Sequence, residues 1–344
     1  MMADKVTSLQ VAQRAGVSQS AVSRVFTPGA SVSKKTAEKV RQAADDLGYR
    51  PNVLARAMVS GKSRIIGLVV AYLENYFYPE ALEKLSNALQ SQGYHVLVFM
   101  ASQTAGNVDN VVGEILDYQV DGIVMASVAM SSDVAVRCEQ AGVPVVLFNR
   151  YEDREGVTSV TSDNFAGGRK VAEYLLAGDH RRIGYIAGWE GASTQRDREA
   201  GFVAGLTAAG RSLDARAVGN FKLEQARDAA RGMFADPDNR PDAVFVANDH
   251  MAFAVMDVIR FELGLRIPQD VSVVGYDDVP PASWLAYNLT TVRQRANLMV
   301  DETVKALLTR IGNFDTTRAR KITIDGPLIV RGSTRGPAGG PQQG

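Results

Sequence analysis

The 344-residue chain has little of the chemistry that marks several common protein classes. It holds one cysteine, Cys138, which excludes an internal disulfide and a thiolate metal cluster. That lone thiol reads as a small packed hydrophobe. Its three histidines, His95, His180 and His250, are scattered and suggest no convergent metal ligands. The longest apolar stretch, residues 65–73, is too short to span a bilayer. The first residues lack the apolar core of a secretory signal, so a cytoplasmic protein without a membrane partner is expected. No G-x-S-x-G elbow, H-E-x-x-H pair or G-x-G-x-x-G after a strand occurs. The run SGKS at 60–63 lacks the earlier glycine and the preceding strand of a phosphate loop. Asp277 and Asp278 are adjacent, and neighbours at a strand end point apart, which disfavours a catalytic acid pair. Neither an enzyme nor a cofactor or metal is expected.

Net charge is also missing, with 38 basic against 38 acidic residues, but it is unevenly spread. Residues 1–64 hold 11 Lys and Arg against 4 Asp and Glu. The remainder holds 27 against 34. A basic head on an acidic body is the footprint of a polyanion-binding module.

The head has the matching local pattern. Thr7-Ser8-Leu9-Gln10 forms a capping box, and Val11, Ala12 and Ala15 recur at helical spacing. Gly16 suits a left-handed helix end, and Ser18 caps a second helix whose Val22 and Val25 face inward. Ser33 caps a third, with Ala37, Val40, Ala44 and Leu47 as its stripe until Gly48. This is a helix-turn-helix. Gln19, Ser20, Ser23 and Arg24 face outward on the second helix, where short or forked hydrogen-bonding groups meet base edges. Thr7 and Ser18, at the starts of the two helices, complete this DNA-facing set.

From residue 64 onward, apolar runs alternate with amphipathic segments. Strands are expected at 65–71, 95–101, 122–126, 143–148, 159–161, 183–187, 243–247 and 271–275. Helices are expected at 78–92, 108–119, 132–141, 165–177, 195–209, 223–234, 251–263 and 298–310. Such alternation means doubly wound parallel sheets, which bind ligands at the carboxyl ends of their strands. Polar and aromatic groups gather there: the cluster from Tyr72 to Tyr78, Asn149-Arg150, Asp163-Asn164, Arg198, Asn248-Asp249 and Asp277-Asp278. They suit a small, hydroxyl-rich or polar-ring ligand. Each also has an ordinary reading in turns and caps, and Asp163 reads equally as the start of the next helix.

Two stretches, TSLQVAQRAGVSQSAVSRVF and SKKTAEKVRQAADDLGYRPNVLARAM, resemble the head and hinge of the lactose-repressor (LacI/GalR) family of bacterial regulators. The segments VDGIVMAS, GVPVVLFNR, TSDNFAGG, HRRIGYIAG, REAGF, FVANDHMA, LRIPQDVSVVGYDD and LTTVRQ continue the resemblance in family order. Gln10 stands where Asp is usual, Ala21 where Thr is, and Tyr76 where Pro is frequent.

The resemblance implies an all-α head, residues 1–50, and a hinge, 51–63. It also implies a periplasmic-binding-protein-like α/β body of two lobes, 64–162 with 291–323 and 163–290 with 324–335, before a disordered tail, 336–344. It implies a homodimer, probing a palindromic double-stranded DNA operator, controlled by a small-molecule effector that is most often a sugar. In the hinge, Asn52 caps a short helix, Ala55 lies against the minor groove, Arg56 meets phosphate and Met58 is the wedge between base pairs. In the cleft, Phe77, Arg198, Asn248 and Asp277 match effector-lining positions; strand-end placement adds Tyr76, Asn149 and Asp163. The runner-up is a solute-binding or sensor protein whose head makes protein contacts instead.

Overall fold

Val11, Ala12, Val22, Val40, Ala43 and Ala44 meet in a small core that belongs to the head alone. The computed structural model describes residues 6–27, 30–50, 62–101, 105–128, 130–153, 156–313 and 318–336. The chain divides into two units, Met1–Arg64 and Ile65–Gly344. Within the first, α1 (Ser8–Ala15), α2 (Gln19–Val25) and α3 (Lys34–Leu47) pack around the six residues above. Each is too short to persist alone in water. Val17, Val25, Phe26, Leu47 and Tyr49 close the core, with the Phe26 and Tyr49 rings 5.9 Å apart. The hinge positions Asn52, Ala55, Arg56 and Met58, and the tail residues 337–344, lie outside the described residues.

The second unit is built on two six-stranded sheets. The first lobe contains β1 (Ile65–Val70), α4 (Phe77–Ser91), β2 (His95–Met100), α5 (Ala105–Asp117) and β3 (Gly122–Ala126). It continues through α6 (Ser132–Gln140), β4 (Val145–Phe148) and β5 (Thr158–Ser162). The second lobe runs through α7 (Asn164–Ala177), β6 (Ile183–Ala187), α8 (Ser193–Ala208), β7 (Ala215–Val218), α9 (Leu223–Phe234) and β8 (Ala243–Val246). It then takes in α10 (Asp249–Asp257), a π-helical turn (Val258–Glu262), β9 (Ser272–Asp277) and β10 (Thr290–Arg293). Helix α11 (Ala296–Gly312) and β11 (Lys321–Ile324) return to the first lobe, and β12 (Leu328–Ile329) ends in the second.

The strand orders are β11-β5-β4-β3-β1-β2 and β12-β10-β9-β8-β6-β7. Every pairing is parallel except that of β12 with β10. Helices cover both faces, so β1, β3, β5, β6 and β9 are buried along their whole lengths. Cys138 is buried, and burial pushes its thiol up to about 11, as suits a packed hydrophobe.

The sheets correct two boundaries. Residues 290–293 pair with β9 in the second lobe, so the chain crosses back after Arg293 rather than at 291. Ile324 pairs with Ser162 in the first lobe, so the last crossing follows it. Pattern alone does not reveal β7, β10, β11 or β12. They are short, half-exposed or threonine-rich, and their few residues give no period. Among the described residues no helix is long and apolar enough to cross a membrane.

Candidate functional site

The head surface is set by its caps. Gln10 N donates to Thr7 Oγ1 at 3.3 Å, and Thr7 N donates to Gln10 Oε1 at 2.8 Å. Gln10 thus completes the reciprocal cap without a charge. Gly16, at φ +66°, ends α1 in the left-handed region. Ser18 Oγ accepts from Ala21 N at 3.2 Å and starts α2. Val22 turns inward, which leaves Gln19, Ser20, Ser23 and Arg24 exposed on the opposite side. Gln19 Nε2 donates to Ser8 Oγ at 2.9 Å and ties the first turns of the two helices together.

In the body, polar groups converge on a small space between the lobes. The loop after β1 supplies Tyr72 and Asn75, and the first turn of α4 supplies Tyr78; the loop after β4 supplies Asn149 and Arg150. From the second lobe come Thr194 and Arg198 of α8, Phe221 after β7, Asn248 after β8 and Asp277 at the end of β9. The free volume among them is only about 10 Å³, close to that of one water. A larger space of about 340 Å³ lies beside the crossings, lined by Phe77, Asp278, Arg293 and Gln294 among others.

Arg198 is held by its own lobe. Its Nε donates to Asn164 Oδ1 at 2.8 Å and its Nη1 to the Ala247 carbonyl at 2.6 Å. Its guanidinium stacks on Tyr276 at 3.7 Å and faces Asp277, Nη2 to Oδ1, at 3.4 Å. The backbone behind it depends on glycine. A β-carbon at Gly168 would collide with the Arg198 carbonyl, and one at Gly201 with that of Phe165. This close approach of α7 and α8 is what TSDNFAGG and REAGF encode.

Asp277 accepts from Gln294 Nε2 at 2.7 Å and, across the lobe boundary, from Asn75 Nδ2 at 3.1 Å. Burial raises its pKa, while Arg198 opposes the rise. Asp249 sits behind it, accepting from Thr291 Oγ1 at 2.6 Å and Val279 N at 3.0 Å. Burial, then the Asp277 charge, push Asp249 up to about 7. Asp278 turns the other way, onto Arg293 at 2.5 Å and Arg331 at 2.6 Å. The adjacent pair therefore points apart, as strand geometry requires.

Further bonds cross between lobes. Tyr151 N donates to Ser193 Oγ at 3.0 Å and its hydroxyl donates to Asp197 Oδ1 at 2.9 Å. Arg196 pairs with Asp153 at 3.3 Å, and Arg150 lies over the Trp189 ring at 5.4 Å.

Of the effector residues expected from sequence, Asn149, Arg198, Asn248 and Asp277 line the small space together. Three do not. Tyr76 is 49% exposed beyond it, because at the start of α4 the chain turns Asn75 inward instead. Phe77 packs on Tyr78 and Phe148 and lines the larger space. Asp163 caps α7, accepting from Ala166 N at 3.0 Å, which is its ordinary reading. Sequence reasoning missed Thr194 and Phe221 as lining groups, and did not single out Tyr72, Asn75, Tyr78 or Arg150 within their stretches. A strand-end position was their only signal.

This architecture has close relatives. Residues 9–52 match the model of bacterial regulatory proteins, lacI family, and residues 172–334 match a periplasmic binding protein-like domain. The chain is 33% identical to the HTH-type transcriptional regulator CelR of Thermobifida fusca, over 94% of this chain and 96% of the relative. It is 28% identical to the HTH-type transcriptional repressor PurR of Pasteurella multocida (strain Pm70), over 96% of this chain and 98% of the relative. Among solved structures, a lac repressor dimer bound to operator and the anti-inducer ONPF superposes with a TM-score of 0.86. That match has 28% identity and covers 96% of this chain and 99% of the other. A CelR–cellobiose complex matches with a TM-score of 0.72 at 31% identity, covering 96% of this chain and 100% of the other. The chain belongs to the lacI family of bacterial regulatory proteins. It is a DNA-binding transcriptional regulator with an effector-binding body, not an enzyme.

Proposed function

We propose that this chain is a homodimeric repressor. Its two heads occupy the half-sites of a near-palindromic operator in the cytoplasm, and its lobes respond to a small hydroxyl-rich effector held in the cleft. On the DNA side the reading uses Thr7, Ser18, Gln19, Ser20, Ser23 and Arg24, with Asn52, Ala55, Arg56 and Met58 of the hinge. In the cleft it uses Asn149, Arg198, Asn248 and Asp277, joined by Asn75.

The observation that carries the effector half is the Asp277 carboxylate. Arg198 of its own lobe and Asn75 of the other lobe both meet it. A ligand hydroxyl that takes Asp277 competes with Asn75 for the same oxygens. Binding and lobe angle are then coupled, and that coupling passes to the hinges by linkage. The dimer half is supported by apolar side chains left on the surface of both lobes. Val98 and Met100 are exposed on edge strand β2, as are Phe261, Trp284 and Leu285 in the second lobe.

Selection of bound fragments from random-sequence DNA by the purified full chain, with and without pooled metabolites, tests both halves. The expected product is a palindrome with half-sites about one helical turn apart, whose retention changes with metabolites. No enrichment in either condition removes the sequence-reading head and favours protein contacts instead. Enrichment indifferent to metabolites removes the effector half.

A further inference from the structure

Arg150 is a buried charge with no hydrogen-bonding partner among the described residues. It is 4% exposed, and its Nε and Nη1 make no hydrogen bond. No carboxylate among the described residues lies within ion-pair distance of it. Its guanidinium lies over the face of Trp189, a contact that leaves Nε and Nη1 without an acceptor among the described residues. Buried arginines are ordinarily paired and hydrogen-bonded, because leaving the donors unmet costs the full desolvation penalty. Arg150 lines the small interlobe space, and its positive charge acts on the Tyr72 hydroxyl, which lines the same space.

Its neighbour has the complementary deficit. Asn149 is buried at φ +64°, in the left-handed region that asparagine tolerates better than most residues. Its Nδ2 donates to the Tyr78 hydroxyl at 3.1 Å, while its Oδ1 has no donor. The two adjacent residues therefore offer unmet donors and an unmet acceptor to one cavity. A ligand that satisfies both carries anionic oxygens and at least one hydroxyl.

Charge balance points the same way. The lining holds two guanidinium groups, Arg150 and Arg198, against one carboxylate, Asp277. Asp277 already faces Arg198. Asp249 is turned onto Thr291 and Val279, and Asp278 onto Arg293 and Arg331, so neither offsets Arg150.

We propose that Arg150 reads an anionic group on the effector, and that the effector is a hydroxylated anion, a sugar carboxylate or sugar phosphate, rather than a neutral sugar. This rests on the interlobe cleft being the effector site. Guanidinium edges match carboxylate and phosphate oxygens, and Asn149 Oδ1 takes a ring or chain hydroxyl. With so little free volume, such a ligand enters only as the lobes part.

The test is calorimetric titration of the full chain with matched pairs: D-galacturonate against D-galactose, and D-gluconate and glucose 6-phosphate against D-glucose. A metabolite extract split on an anion exchanger into anionic and neutral pools covers ligands outside the panel. The expected result is binding from the anionic members or pool, at least about tenfold tighter than from neutral counterparts. Arg150→Gln lowers that affinity about ten- to a hundredfold, and Arg150→Lys restores part of it. Loss of activity after phosphatase treatment distinguishes a phosphate from a carboxylate. Binding confined to the neutral pool overturns the proposal, as does an anion whose affinity ignores Arg150→Gln. Should the Gln variant fail to fold, the anion-to-neutral ratio of the unaltered chain decides. Binding from neither pool, by protein that still holds its selected DNA, overturns the effector cleft itself and this inference with it.

Discussion

Asp249 and Asp277 show how one residue's surroundings assign its role. Both carboxyls are buried at strand ends of the second lobe, yet Asp277 meets Arg198, Asn75 and Gln294 while Asp249 meets only a hydroxyl and an amide. The ordinary value of Asp249 is 3.8, and burial with the Asp277 charge pushes it up to about 7. Between those values the folded chain keeps a proton that the unfolded chain has released. Stability from this group is therefore highest below the lower value, falls as pH rises through the window, and levels off above about 7. Asp249→Asn removes that slope, since an amide still offers an oxygen to Val279 N and an N–H to Thr291 Oγ. In calorimetric unfolding across this range, the Tm difference should move in favour of the variant as pH rises. A difference independent of pH would mean that Asp249 ionises at its ordinary value.

At the scale of elements, the α7–α8 crossing positions the cleft. Gly168 and Gly201 each face backbone of the opposite helix, with no room for a methyl group. That contact sets Arg198 over Tyr276 and toward Asp277. Gly168→Ala forces the helices apart, and overpacking of this kind costs about 1–3 kcal/mol or more. Urea unfolding should show the loss, and effector binding should weaken with it because Arg198 moves. Unchanged stability would show that the crossing tolerates a methyl group and is not what fixes Arg198. The head depends on elements in a different way. Its three helices are marginal singly, and reciprocal caps and a shared core hold them.

For the whole molecule, pairing of two copies is what turns a helix-turn-helix into a reader of palindromes. Leu285 is 97% exposed and Phe261 80% exposed, on segments joined by the Arg260 guanidinium and the Ala286 carbonyl. A side chain this exposed adds little to the fold of one copy. Leu285→Asp should therefore leave the Tm of the isolated chain nearly unchanged. In the homodimer proposed above, with Leu285 near the two-fold axis, it should raise the dissociation constant by about tenfold or more, because a desolvated charge then meets its own copy. Sedimentation equilibrium over a concentration series measures this; an unaltered association constant would move the interface elsewhere.

Local sequence specifies the head almost completely. Caps, turn glycine and inward valines act within a few residues of one another, so Thr7, Gly16, Ser18 and Val22 behave as their local pattern requires. It also determined the alternating α/β body, because strands buried on both faces leave continuous apolar runs. Four of the ten lining groups of the cleft were legible: Asn149, Asn248 and Asp277 stand at strand ends, and Arg198 lies in the REAGF segment of α8. The remainder depends on long-range packing. Within Asn75-Tyr76-Phe77 nothing local tells which side chain turns inward, since Asn75 owes its orientation to Asp277, 202 residues away. Arg150 carries no mark of its own in the sequence. Its meaning lies in the partner it does not have, and a missing partner becomes visible only when every neighbour has been brought into place.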